Sequence, residues 1–296
     1  MKLTFTSLLA ALLAISASAA PAMRQEAEAG CTLQGTYTAG TDVSTCAAIV
    51  IDSLNVPAGV TLDLTKVKAG ASITFQGTTT FGTKLWEGPL VHLTGSNLKV
   101  QGSGTLEGQG SWYWKQGQSV TRPVFFRLSK VTGSNLSSFT LKNSPFRTFS
   151  ILDSTQTTLS GLTLDSSSGN GLAKNTDGFD LSRNDHVTIS GCKIFNQDDC
   201  LAMQSSTNTI FSGNTCSGGH GISIGSLGGD AGGYTGSATS QVTIRDIIIN
   251  GLSGTATNIY DIKANPSVVS NWKFSGITVT GSKGSCSGQP SGISCA

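Results

Sequence analysis

Two short stretches of a charge-poor chain gather carboxyl groups: Asn175-Thr176-Asp177-Gly178-Phe179-Asp180 and Asn196-Gln197-Asp198-Asp199-Cys200, followed by Gly219-His220-Gly221. Asp177 and Asp198 are twenty-one residues apart, and so are Asp199 and His220. If that interval is one structural repeat, the three segments stack on one face. Carboxyls held so close cannot all stay ionised, so one is pushed toward its protonated form while its neighbours keep their charge. Rungs stack about 5 Å apart, and lateral offset stretches this toward the roughly 6.5–9.5 Å between proton donor and base in inverting glycoside hydrolysis. A single Asp in a Gly- and Ser-rich chain ordinarily closes a turn. The equal spacing lifts Asp177, Asp198, Asp199 and His220 above that reading. Asp180 keeps it, because it lies past the glycine and has no carboxylate one period later.

The elements that must position these groups are visible as a repeat. Apolar-x-apolar triplets followed by a small step recur at Leu98-Lys99-Val100-Gln101-Gly102, Thr158-Leu159-Ser160-Gly161-Leu162, Val187-Thr188-Ile189-Ser190-Gly191, Thr209-Ile210-Phe211-Ser212-Gly213, Val242-Thr243-Ile244 and Trp272-Lys273-Phe274-Ser275-Gly276. Alternation gives strands, Gly/Ser/Asn steps give bends, and a period of roughly twenty to thirty residues marks a solenoid. A β-sandwich also has short strands, but it needs no recurring motif at constant spacing. The fold class predicted is all-β, a parallel β-helix.

Composition narrows the setting. Charged residues make up 12% of the chain and the formal net charge is +2, which excludes the clustered basic face of a nucleic-acid protein. Residues 1–20 read as a signal peptide and 21–30 as a pro-segment, leaving 31–296 as one β-helix domain. No later stretch approaches the roughly 20 apolar residues of a membrane span. A secreted, extracellular, monomeric protein is therefore expected, without nucleic-acid or membrane partners. Cys31 and Cys46, Cys200 and Cys216, and Cys286 and Cys295 lie close in sequence as three candidate disulfides, although spacing alone does not fix connectivity. Zinc ligation is the weaker alternative, because the spacing lacks paired Cys-x-x-Cys. Cys192 is left over and reads as a buried thiol, while Asn135-Leu136-Ser137 is an N-glycosylation sequon at Asn135.

These residues resemble the fungal polygalacturonases of glycoside hydrolase family 28. Asn175-Thr176-Asp177, Gln197-Asp198-Asp199-Cys200 and Gly219-His220-Gly221-Ile222-Ser223-Ile224 are similar to three of the four signature blocks of that family, in order and spacing, and Gly104 to Trp112 is similar to an amino-terminal one. The resemblance implies a right-handed parallel β-helix that cleaves α-1,4 bonds between galacturonate units of pectin, endo-acting and inverting, without metal or organic cofactor. It further implies Asp198 as general acid, Asp177 and Asp199 as activators of water, and His220 as their tuner. Asn175, Gln197 and Tyr260 would contact substrate. The fourth block, Arg-Ile-Lys, supplies two cations to a substrate carboxylate in the family and is absent from this sequence, as if two or three coils had been removed. Arg245 or Lys263 would have to replace them.

That absence keeps a second function class open, a shortened relative that binds pectin with weak or no catalysis. Within enzymes, hydrolysis of a branched pectin such as rhamnogalacturonan is the alternative. A β-elimination lyase on the same fold would require calcium.

Overall fold

The computed structural model describes residues 30–225, 242–282 and 284–295. The expected signal peptide, 1–20, and all but Gly30 of the expected pro-segment lie outside these residues. Among them, every strand pairing is parallel, and strands inside the stack bond to counterparts one coil earlier and one coil later, those at its ends to one alone. The pairings sort into three ladders along the stack. In the first, Val100, Leu136, Leu159, Ile189, Phe211 and Ile249 fall in one column. In the second, Leu106, Leu141, Leu164, Ile194 and Cys216 do the same. The third, which carries the site, aligns Leu62, Val91, Phe126, Phe149, Phe179, Leu201, Ile222 and Tyr260. This is the parallel β-helix expected from the repeat.

Period-two alternation explains the core. Inward residues of all three ladders form one buried cluster, while their neighbours in sequence face outward. Under the acidic segments the core is aromatic. Phe126 and Phe149 lie 5.3 Å apart between ring centroids, and Phe149 and Phe179 5.3 Å apart at 10°. Burying each such ring stabilises by about 2–3 kcal/mol, and ring pairing adds about 1 kcal/mol.

The bends satisfy their own polar groups. Asn184 accepts from the Ser154 amide at 2.9 Å and donates to the Ile151 carbonyl at 2.9 Å. At a different bend, Asn214 accepts from the Cys192 amide at 2.8 Å and donates to the Ile189 carbonyl at 3.0 Å. Cys192 is a buried free thiol that burial pushes up to about 11. The other six cysteines pair as Cys31–Cys46, Cys200–Cys216 and Cys286–Cys295. Among the described residues, no helix is long and apolar enough to cross a membrane.

Of the candidate replacements for the missing cations, Arg245 is aligned with Thr207 and Ser270 on the first ladder, away from the acidic rungs. Gly221–Ile224 pairs directly with Tyr260–Lys263, so the rung after His220 is the one that carries Lys263.

Candidate active site

Three consecutive coils of the third ladder bring the acidic segments together, one residue away from the register that the twenty-one-residue spacing suggested. Phe179 faces Leu201, which makes the local period twenty-two. Asp177 therefore lies opposite Asp199, and the Gly178 amide donates to the Asp199 carbonyl at 2.8 Å. One coil further, Asp199 faces Gly221 while Leu201 faces Ile222, an irregularity that absorbs Cys200. His220 consequently stands over Asp198, its amide donating to the Asp198 carbonyl at 2.8 Å. Stacking Asp177 on Asp198 and Asp199 on His220 is thus corrected by one position: the first step is regular at twenty-two residues, and in the second the bulge at Cys200 leaves Asp199 facing Gly221, while beyond it the step is twenty-one. The same irregularity lets Asp198 and Asp199, adjacent in sequence, face one cavity. A carboxylate oxygen of each and a ring nitrogen of His220 lie within 4.8 Å of one another.

The backbone around them is knitted tightly. Asp198 Oδ2 accepts from the Asn175 amide at 3.0 Å, and its Oδ1 accepts from the Asp199 amide at 2.9 Å with His220 Nδ1 at 3.3 Å. Asn196 donates to the carbonyls of Thr176 (3.0 Å) and Asp199 (2.7 Å), joining the two acidic segments. Both glycines beside His220 are required by close approach. A Cβ on Gly219 would fall 2.0 Å from the Asp198 carbonyl oxygen, and one on Gly221, at φ +85°, 2.0 Å from that of Asn258.

Electrostatics separate the carboxyls. Burial pushes Asp177 well above the ordinary range, and the charges of Asp180, Asp198 and Asp199 push it further. Burial likewise raises Asp199 to about 6 against a hydrogen bond from Ser223. Burial would also raise Asp198, but the His220 hydrogen bond and charge, with the Asn175 and Asp199 amides, outweigh it and hold Asp198 below the usual range. His220 is raised in turn, first by its hydrogen bond to Asp198. The raised carboxyls are therefore Asp177, Asp180 and Asp199, and not Asp198, the donor implied by resemblance. Asp198, Asp199 and His220 have the donor chemistry and spacing to hold a divalent cation.

Some contributors escaped the sequence. Asp180 closes no turn, since it sits in the strand Phe179–Ser182, 5% exposed, with Arg147 Nε 2.9 Å from its Oδ2. Burial lifts it to about 7 despite that cation. Arg122 is also buried, donating to the Lys174 carbonyl at 2.8 Å and to Asn175 Oδ1 at 3.0 Å. Arg122 and Arg147 each place a guanidinium over the Phe146 ring, 5.1 Å from its centroid. Two arginines within twenty-six residues of a single Phe were the available signal, but nothing in their spacing pointed to the carboxyls.

The expected contact residues fare differently. Gln197 lines the cleft beside His220 while its Oε1 accepts from the Ala173 amide at 3.0 Å. Asn175 uses its backbone amide on Asp198 and its side chain on Arg122, so it holds the Asp198 carboxyl in place. Tyr260 is corrected: it belongs to the inward column with Ile222, is 8% exposed and packs on Phe274 at 5.4 Å. The outward residues of its strand are Asp261 and Lys263. Asn135 is exposed on the first ladder, where a glycan could be accommodated.

A family model described as glycosyl hydrolases family 28 matches residues 46–233. The chain belongs to this family. Among its relatives, an endo-polygalacturonase of Sclerotinia sclerotiorum is 36% identical over 324 aligned positions, covering 85% of this chain and 84% of that protein. A polygalacturonase of Cochliobolus carbonum is 36% identical over 91% of this chain and 93% of its own length. The alignment of 324 positions is longer than the 296 residues of this chain, so it contains gaps opposite segments that the relative has and this chain lacks. Among solved structures, endopolygalacturonase I of Stereum purpureum, complexed with two galacturonate, superposes with TM-score 0.70 at 30% identity, over 84% of this chain and 78% of that one. Endo-xylogalacturonan hydrolase of Aspergillus tubingensis matches at TM-score 0.63 and 22% identity, which speaks to the fold alone. As a family 28 member the protein is a glycoside hydrolase, and its clustered carboxyls are the groups with the matching chemistry.

Proposed function

We propose that this family 28 protein hydrolyses α-1,4 bonds between galacturonate units of pectin, within the chain and with inversion, as a secreted monomer. The observation that carries the reading is the carboxyl set of buried Asp177 with half-buried Asp198 and Asp199 beside His220, in a protein whose relatives are named for polygalacturonate cleavage. Asp198, on the cavity wall beside His220, gives its proton to the leaving glycosidic oxygen. Asp177 and Asp199 orient a water and take its proton as the oxygen attacks the anomeric carbon. A bound chain excludes water from the cleft, and desolvation, which already drives these carboxyls upward, then favours the protonated acid on Asp198 as well. His220 holds the Asp198 carboxyl in place and adjusts its acidity.

The test is reducing-end release from polygalacturonate by the purified protein, with chelator present and Asp198→Asn beside it. Loss of a general acid lowers the rate by about 10²–10⁴ while the unfolding temperature stays close to wild type. Wild-type rates in the variant remove the donor role of Asp198. Activity lost on chelation would instead assign the Asp198, Asp199 and His220 trio to a metal.

A further inference from the structure

Lys174 and Asn175 form a turn between the short helix Ser167–Gly169 and the strand Phe179–Ser182, outside every ladder. Asn175 sits there at φ +57°, a left-handed conformation that persists where its surroundings enforce it. Arg122 supplies the enforcement. Its Nη1 donates to the Lys174 carbonyl at 2.8 Å and to the Pro145 carbonyl at 3.2 Å, and its Nη2 donates to Asn175 Oδ1 at 3.0 Å. The residues on either side have their own anchors: the Ala173 amide donates to Gln197 Oε1 at 3.0 Å, and Thr176 Oγ1 donates to the Ala173 carbonyl at 2.7 Å.

The same peptide unit reaches Asp198 from its other side. In a trans peptide the C=O and N–H lie in one plane and point in opposite directions. The oxygen end of this unit accepts from Arg122, and its hydrogen end, the Asn175 amide, donates to Asp198 Oδ2 at 3.0 Å. Linked hydrogen bonds of this kind polarise and strengthen one another, the more so with a cation at one end and a carboxylate at the other. Asp198 Oδ1 is held separately, by the Asp199 amide and His220. Arg122 is 5% exposed; burial works against its charge, and the fields of Asp177 and Asp198 sustain it. It lines neither of the two cavities that His220 lines.

We infer that Arg122 is a positioning residue for the hydrolysis: by clamping the Lys174–Asn175 peptide it aims the Asn175 amide at Asp198 Oδ2, and so fixes the orientation of the carboxyl that serves the leaving oxygen. The inference rests on the donor role of Asp198 given above. Without the clamp the turn relaxes from its left-handed form, Oδ2 loses its donor, and the carboxyl is free to rotate about its Cβ–Cγ bond while the substrate contacts stay in place.

Amide hydrogen exchange followed by NMR reads the clamp without turnover. Exchange at Asn175 should quicken in Arg122→Met by on the order of tenfold or more while the ladder strands keep their protection. Arg122→Lys, which keeps the charge but loses the fork, should fall between, and it carries the test if the Met variant does not fold. Unchanged protection of Asn175 overturns the inference. Kinetics assign the effect to the acid. On polygalacturonate Arg122→Met should lower kcat by on the order of tenfold to a hundredfold with KM near the wild-type value. A nitrophenyl oligogalacturonide, whose leaving group departs without a proton, should recover most of that loss. In the Asp198→Asn protein the Arg122 substitution should add little, since both act on one group. Equal losses on the two substrates, or losses that multiply in the double variant, reduce Arg122 to a structural residue. Wild-type rates in Asp198→Asn remove the donor role itself, whereas a damaged Asp198→Asn beside an unimpaired Arg122→Met removes this inference alone.

Discussion

Raising the pH should loosen this fold, and Asp180 allows the effect to be sized. Its carboxyl ionises near 3.8 when unperturbed and near 7 in the folded protein, because burial outweighs the Arg147 ion pair. Below the lower value both states carry the proton. Between the two values the unfolded chain releases it while the fold retains it, so stability that is complete in acid is lost as pH climbs through 7. The gap corresponds to about 4 kcal/mol, of which about 3 kcal/mol falls between pH 4.5 and 7.5. That is a sizeable share of the roughly 5–15 kcal/mol that holds an ordinary domain together. Urea denaturation across this range, on wild type and Asp180→Asn, measures it. The variant loses the ion pair and its absolute stability shifts, but its stability should fall less steeply with pH by that amount. Identical slopes in the two proteins would refute the assignment of a high-affinity proton to Asp180. Asp177 and Asp199 act in the same direction, so some slope persists in the variant.

Gly221→Ala should lower the unfolding temperature and the activity together, since its Cβ would meet the Asn258 carbonyl oxygen at 2.0 Å on a residue with φ +85°. A left-handed non-glycine residue alone costs about 1–3 kcal/mol, and an unchanged melting curve would show that the two rungs are not in contact there. Phe149→Ala removes the middle ring of the stack between Phe126 and Phe179 and should cost about 3–5 kcal/mol, read by the same denaturation experiment. A loss below about 1 kcal/mol would mean that the core beneath the site is not close-packed.

The ladders were legible because alternation and small-residue steps repeat regardless of what the coil carries. Val100, Leu159, Ile189 and Phe211 all occupy the column that their triplets announced. The grouping of Asp177, Asp198, Asp199 and His220 was legible for the same reason, whereas their pairing was not. The step from Asp177 is a regular twenty-two residues, and the bulge at Cys200 moves Asp199 from His220 to Gly221, neither of which a spacing count can see. Tyr260 was misplaced by parity: one step along a strand exchanges core for cleft, and the strand phase was hidden until Ile222 was found opposite it. Asp180 was taken for a turn residue because Asp favours turns, while the ladder demanded an outward position there. Arg122 lies fifty-three residues from its partner Asn175, a distance at which only the folded chain reveals contact.

The burial of Arg122 and of the carboxyls it faces also fixes how the site answers to its medium. Salt screens charges across water over about 8 Å at physiological ionic strength, but dissolved ions do not enter a packed interior. Arg122, Asp177 and Asp180 are each less than one-tenth exposed. Their mutual fields are thus a fixed property of the coils, the same in brine as in dilute buffer. The half-buried Lys174 at the cleft enjoys no such shelter. In this protein the acidity of Asp177 and Asp180 is set by architecture, while the pull of the half-buried cation at the cleft is set by the surrounding electrolyte.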